Sequence, residues 1–311
     1  MNDIKVIFMG TPQFAVPVLE ELIKKYNVLM VVSQPDRERD RKGNIIFSPI
    51  KELAIKNNIP VFQPEKIRKS YQEILDLNPD IIITCAYGQI IPEVILDYPK
   101  YGCINVHGSL LPKLRGGAPI QHAIIDGYTE TGITIMYMDK GMDTGDIISM
   151  EKIPITDEDN YDSLHDKLSI LGASLLMKTL PAIINDTNNR IKQDSNEATY
   201  GYNISKEDEK IDFALPSIDV FNKIRGLSSV PGAYCMYNNL RLKIYDCYIT
   251  DEISSTEYGK IVRIDKTGMY INTFDKVIRI TDIKLEGKKR CKISDFINGI
   301  KKEEYEGVIL K

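Results

Sequence analysis

The chain has 311 residues, 43% of them hydrophobic and 27% charged, and a formal net charge of −4. That length exceeds the roughly 250–300 residues at which one core stops growing, so two domains are expected, and the composition excludes fibrous and disordered classes. The net charge is not that of a protein coated for nucleic acid, and no apolar run approaches the roughly 20 residues of a membrane helix, so a cytosolic protein without a membrane partner is expected.

In chain order, residues 4–10, 27–34, 81–86 and 102–107 are apolar runs flanked by turn chemistry and read as strands. Between them, 14–26 and 70–78 have helical spacing, with Pro17 confining the regular start of the first helix. Alternating βα units predict a doubly wound, mostly parallel, Rossmann-like sheet. Ligands of such sheets sit beyond the carboxyl ends of the strands, where Gly10, Gly88, Asn105 and Asp143 fall. No Gly-x-Gly-x-x-Gly and no Walker sequence is present, which argues against a dinucleotide cofactor. Residues 133–138 form a further strand, expected to lie parallel to its neighbour. Residues 159–184 are helical with expected interruptions near Gly172 and Pro181, and a polar run follows. Ser205 reads as the cap of another helix. Short strands at 233–236, 240–249, 259–264, 269–273 and 277–283 then suggest a small barrel. The expected division is a catalytic domain at 1–188, a linker at 189–204 and a C-terminal domain at 205–311.

The densest chemistry lies in two turns. Side chains alternate along 102–107, so Asn105 and His107 leave the strand on the same face, and the turn 139–146 supplies Asp143. An amide, an imidazole and a carboxylate suit acyl transfer between nitrogens. Asn105 is the candidate donor to a developing oxyanion, His107 a proton carrier or second oxyanion partner, and Asp143 the group that fixes the imidazole's tautomer. A lone histidine after a strand is more often structural, but three such groups with Gly108, Gly141 and Gly145 beside them point to a site.

The segment NVHGSLLPKLRGGA, residues 105–118, resembles the signature of the formyltransferases that use 10-formyltetrahydrofolate, and the stretch from Ala118 to Ile148 is similar to the branch that acts on methionyl initiator tRNA. Phe8 to Pro12, Ser33 to Asp36 and Ala86 to Pro92 carry further resemblance. It implies a formyl donor bound by Ser109, Leu110, Leu111 and Pro112, with Gln89, Ile90, Ile91, Met138 and Gly141 lining the same cleft. An OB-like C-terminal barrel, an initiator tRNA partner, no metal and a monomer are implied as well. Relatives formylating a sugar amine or glycinamide ribonucleotide are the alternative within this chemistry. A folate- and RNA-binding regulator without catalysis is the alternative outside it.

Charge is uneven: 21 Lys and Arg stand against 27 Asp and Glu through Tyr202, and 19 against 17 from Asn203 onward. An RNA contact must therefore use local stretches. Arg37, Arg39, Arg41 and Lys42 form one, in a loop that the resemblance assigns to the acceptor end of tRNA, and Lys288, Lys289 and Arg290 form another. Arg115 with Gly116 and Gly117 reads as a flexible rim near an anionic group. Cys85, Cys103, Cys235, Cys247 and Cys291 are scattered, which predicts reduced, largely buried thiols, and His122 and His165 read as surface or packing residues.

Overall fold

The computed structural model describes residues 2–37, 39, 43–255 and 257–311. It divides into two compact units, one of residues 1–119, 130–154 and 165–202, the other of residues 120–129, 155–164 and 203–311.

The first unit holds seven strands: β1 (Asn2–Gly10), β2 (Tyr26–Val32), β3 (Val61–Phe62), β4 (Ile81–Cys85), β5 (Cys103–His107), β6 (Glu130–Tyr137) and β7 (Ile147–Pro154), in spatial order β3-β2-β1-β4-β5-β6-β7. The pairs from β3 to β5 are parallel, and strand order reverses between β1 and β4. Such a reversal opens a crevice at the carboxyl ends. Helices α1 (Val16–Lys25), α2 (Pro49–Lys56), α3 (Gln72–Asp76) and α4 (Glu93–Leu96) connect them. α1 starts with proline in its first turn and buries Val18, Leu19 and Leu22, and Tyr26 begins β2 at once rather than ending the helix. α5 (Pro119–Ile125) leads toward β6.

Two expectations are corrected here. β6 runs antiparallel to β5, with Asn105 opposite Met136 and His107 opposite Thr134, so Asp143 reaches the site through a turn that folds back and not through a parallel neighbour's carboxyl end. The second concerns α6 (Tyr161–Ile184), which runs 24 residues without a break. Gly172 lets it approach the sheet, since a Cβ there would meet Val106 Cγ1 at 2.9 Å, and Pro181 lies where only the last turn follows. By length and composition α6 is long and apolar enough to cross a membrane, but half of its most apolar stretch is buried, with Leu176 and Leu180 in the core.

Of residues 189–204, expected as a linker, those up to Tyr202 belong to the first unit. Backbone pairing explains this: Ile191 bonds Ile147 in both directions at 2.8 and 2.9 Å, and residues 199–201 bond the 112–118 loop.

The second unit contains α7 (Ser217–Gly226), then β8 (Ala233–Tyr237), β9 (Leu240–Ile253), β10 (Ile261–Asp265), β11 (Gly268–Asn272), β12 (Lys276–Leu285), β13 (Cys291–Lys292) and α8 (Ile293–Phe296). The strands are antiparallel in order β10-β11-β12-β9-β8, with β13 on β12. Residues 307–311 join the two edges: Ile261 N–H donates to the Val308 carbonyl at 2.9 Å, and Lys311 exchanges backbone hydrogen bonds with Met236. The sheet thus closes into the small barrel expected, around Ile244, Ile271, Ile278 and Ile280. Ser205 does not start a helix. It exchanges cap hydrogen bonds with Asp208, but the turn ends because Ile211 N–H pairs with the Tyr234 carbonyl at 2.8 Å.

Candidate active site

Asn105 and His107 leave β5 on one face, as a two-residue period requires. Thr84 is the register partner of Asn105 on β4, and its hydroxyl donates to Asn105 Oδ1 at 2.8 Å. With the amide oxygen held, Nδ2 is the side left to donate, and no acceptor meets it among the described residues. The sequence reading missed Thr84, although a lone hydroxyl inside the run Ile81 to Cys85 was a visible signal.

His107 is buried. Its Nε2 donates to the Leu114 carbonyl at 3.1 Å, because a carbonyl only accepts, and Nδ1 faces Asp143 Oδ1 at 3.7 Å. The latter separation is too long for a direct hydrogen bond. Leu114 therefore sets the tautomer, a role expected of Asp143. In the neutral ring Nδ1 carries the lone pair, so a proton taken there lies between imidazole and carboxylate.

Asp143 sits at φ 55°, in the left-handed region that aspartate tolerates better than most residues. Its Oδ2 accepts from Gly116 N–H at 2.8 Å, and its carbonyl accepts from Gln193 Nε2 at 2.8 Å. Gln193 Oε1 in turn accepts from Arg115 Nε and Nη2 at 3.1 and 2.8 Å. Arg115 is only 2% exposed, which overturns the flexible rim: its guanidinium is spent on the strut that holds the Asp143 turn. Glycine is required at 145, where a Cβ would stand 2.0 Å from the Tyr137 carbonyl oxygen.

The residues expected to hold a folate separate into two groups. Ile90 is 88% exposed and Leu110 half-buried, and Met142, beside Asp143, is also exposed. Lys140 and Glu93, both exposed, come within 4.0 Å of each other, so the Met142 turn lies near the end of the Ile90 loop. Leu111 and Ile91 instead pack in the core, Leu111 against Met136 and Ile147. Ser109 donates to the Lys113 carbonyl at 2.6 Å within its own loop, and Pro112 follows a cis peptide bond and is half-buried. The Met138 and Gly141 N–H groups are taken by the Cys103 carbonyl and by Asp139 Oδ1, and Met138 Sδ lies 3.1 Å from the Thr84 hydroxyl oxygen.

Gln89 belongs to a separate network. Its Nε2 donates to Gln34 Oε1 at 3.2 Å and to the Pro64 carbonyl at 3.1 Å, while its Oε1 accepts from Ile67 N–H at 2.9 Å. Gln34 Nε2 donates to the Tyr87 carbonyl, which also accepts from the Thr11 hydroxyl. The motifs around Thr11, Gln34 and Gln89 thus lace the carboxyl ends of β1, β2 and β4.

Of the basic candidates, Arg37 pairs with Glu65 at 3.2 Å on the surface, and Arg39 donates to the Gly43 carbonyl at 2.8 Å. Arg41 and Lys42 lie outside the described residues. Lys288 and Lys289 are exposed, whereas Arg290 binds Asp282 through Nε and Nη2 at 2.9 and 3.1 Å and lies 4.0 Å over the Tyr245 ring. The five cysteines are free thiols, and Cys103, two residues before Asn105, is buried with its Sγ toward the Ile95 carbonyl. Burial raises its pKa above the ordinary thiol value, which suits packing and not nucleophilic attack. His122 faces Asp126, and His165 packs edge-on to Phe14. Among the described residues no three His, Cys, Asp or Glu side chains are grouped to hold a metal.

Residues 3–193 match the formyl transferase family model, and residues 203–301 match that of the formyl transferase C-terminal domain. The chain belongs to the formyl transferase family. A methionyl-tRNA formyltransferase from Staphylococcus aureus strain MW2 is 48% identical over 298 residues, 95% of this chain and 96% of that one. Its counterpart from Staphylococcus epidermidis strain RP62A is 48% identical over 309 residues, 98% and 99% of the two chains. Among solved structures, the N-formyltransferase from Helicobacter canadensis, in complex with folinic acid and dTDP-3-aminofucose, has a TM-score of 0.67 at 24% identity, covering 89% of this chain and 99% of that one. A methionyl-tRNA formyltransferase from Clostridium thermocellum has a TM-score of 0.55 at 20% identity, covering 80% and 94%. These structures share the fold of this formyl transferase.

Proposed function

We propose that this formyl transferase moves a formyl group from N10 of 10-formyltetrahydrofolate to the α-amine of methionine esterified to initiator tRNA, giving N-formylmethionyl-tRNA for translation initiation. The observation that carries the substrate is 48% identity along nearly the whole chain to relatives of that name. The chemistry rests on the half-satisfied amide of Asn105 beside the His107–Asp143 pair.

The amine attacks the formyl carbon and a tetrahedral oxyanion forms. Asn105 Nδ2 donates to that oxygen, its direction fixed by Thr84. His107 Nδ1 accepts the proton shed by the attacking nitrogen, and Asp143, across 3.7 Å, stabilises the resulting imidazolium. Collapse breaks the bond from carbon to N10, which takes up a proton as tetrahydrofolate leaves. Ile90, Leu110 and Met142 fit a flat heterocycle, because they offer apolar surface from three loops that follow β4, β5 and β6. Leu111, Ile91, Ser109 and Gln89 support that cleft from behind. Arg37, Arg39, Lys288 and Lys289 are the phosphate contacts of this reading, and the enzyme acts as a cytoplasmic monomer.

The direct test incubates the enzyme with 10-formyltetrahydrofolate and methionyl initiator tRNA and follows formylmethionine on the RNA by mass spectrometry. Product is expected, with turnover about 10²–10³-fold lower in Asn105→Ala, the usual loss for one oxyanion donor. Formyl transfer to a sugar amine or glycinamide ribonucleotide, with none to the RNA, would move the assignment to that branch.

A further inference from the structure

Tyr200 and Tyr202 take no part in the chemistry above, yet the backbone that carries them is bonded to the loop that builds it. Arg115 N–H donates to the Thr199 carbonyl at 2.9 Å, Gly201 N–H to the Arg115 carbonyl at 2.8 Å, and Ala118 N–H to the Gly201 carbonyl at 2.9 Å. Leu114 N–H donates to the Thr199 hydroxyl at 2.9 Å. That same loop offers the Leu114 carbonyl to His107 and the Gly116 N–H to Asp143. The two tyrosines are therefore one hydrogen-bonded strand away from the residues that set the imidazole and the carboxylate.

Extended backbone turns Gly201 inward, where a Cβ would stand 3.2 Å from Pro119 Cα, and turns its neighbours out together. Their rings stack at 5.4 Å between centroids with 4° between planes, and they are 44% and 60% exposed. Two large aromatic rings held parallel on the surface contribute little to the core, and the backbone that carries them is fixed by strand pairing. Flat exposed aromatics are what unpaired bases of single-stranded RNA stack upon, without regard to base identity.

We propose that Tyr200 and Tyr202 form a stacking platform for an unpaired nucleobase at the aminoacylated 3′ end of the RNA, fixing the distance between that end and Asn105. This rests on the methionyl-tRNA reading above. The stacked base anchors the acceptor end while the amine, carried beyond it on the ester, enters the site.

The test compares the double variant Tyr200→Ala, Tyr202→Ala with Tyr200→Phe, Tyr202→Phe. The alanine pair is expected to raise KM for methionyl-tRNA about tenfold, with kcat and KM for 10-formyltetrahydrofolate unchanged; the phenylalanine pair, which keeps the rings, should match the parent. A trinucleotide with the sequence of the single-stranded end should inhibit the parent and the phenylalanine pair about tenfold better than the alanine pair. An unchanged KM for RNA in the alanine pair overturns the platform. So does a rise in KM for the folate instead, an equal loss in the phenylalanine pair, or a fall in kcat accompanied by a lower Tm. Failure of the parent enzyme to formylate methionyl-tRNA would instead defeat the functional reading on which the platform rests.

Discussion

Two groups of polar side chains occupy the carboxyl edge of one sheet and treat their hydrogen bonds differently. At the ends of β1, β2 and β4, both amide groups of Gln34 and Gln89 have partners, in a chain running from Thr11 through Tyr87 to Ile67 and Pro64. At the end of β5, Asn105 is tied on its oxygen side only, and His107 and Asp143 stop 3.7 Å apart. A network in which both ends of each amide have a partner makes a rigid wall, because rearrangement would leave those groups unpaired. One with an unused donor and a gap is completed by something that arrives. Chemically similar residues a few strands apart thus serve as scaffold and as reaction site.

The contrast can be broken first at His107. His107→Ala should lower kcat by about 10²–10⁴-fold in single-turnover formylation, measured at a temperature where the variant stays folded despite the unpaired Leu114 carbonyl; near-normal turnover would place the imidazole in the scaffold. Thr84→Val keeps the shape and frees the Asn105 amide to rotate. A roughly tenfold fall in kcat, equivalent to one neutral hydrogen bond of about 1–1.5 kcal/mol, is expected without a change in folate KM. If kcat holds and the protein melts earlier, Thr84 is only a strand hydroxyl. Gln89→Ala should do the reverse, costing about 1–3 kcal/mol of stability through the unpaired Ile67 N–H and Pro64 carbonyl while kcat stays within about twofold. Chemical denaturation with parallel assays decides it, and a variant crippled in kcat but normal in stability would erase the distinction.

The barrel supplies the smallest effect and a control. Burial opposes the charge on Asp282, but hydrogen bonds from Arg290 and Lys292 outweigh it and hold the carboxyl below the usual carboxylate range. A carboxylate depressed in this way adds stability above its unfolded pKa of about 3.9 and loses it as pH falls through the folded value. The Tm advantage of the parent over Arg290→Ala should therefore be full at pH 7 and fade as pH drops below about 4. A gap independent of pH would mean that Arg290 acts through its packing on Tyr245.

The sheet, the barrel and the position of Asn105 and His107 were legible because they depend on local periodicity and turn chemistry. The antiparallel course of β6 was not, since the pattern of a strand is the same in either direction. Nor were Leu114, which holds His107 through a carbonyl that any residue possesses, and Gln193, which braces Asp143 from 50 positions downstream. Charge was legible as composition only: in the sequence Arg115 reads as a rim residue near an anionic group and Arg290 as an RNA contact, and the fold commits one to Gln193 and the other to Asp282.

The segment 307–311 ties β10 to β8 through backbone hydrogen bonds. Until those backbone bonds form, both edges of the sheet stay open, so the barrel closes only once residues 307–311 are in place. Exposed strand edges recruit other strands. Substitutions that break the pairing of residues 307–311 would therefore leave the catalytic sheet intact and give the barrel two adhesive borders, favouring aggregation or proteolysis over partial activity.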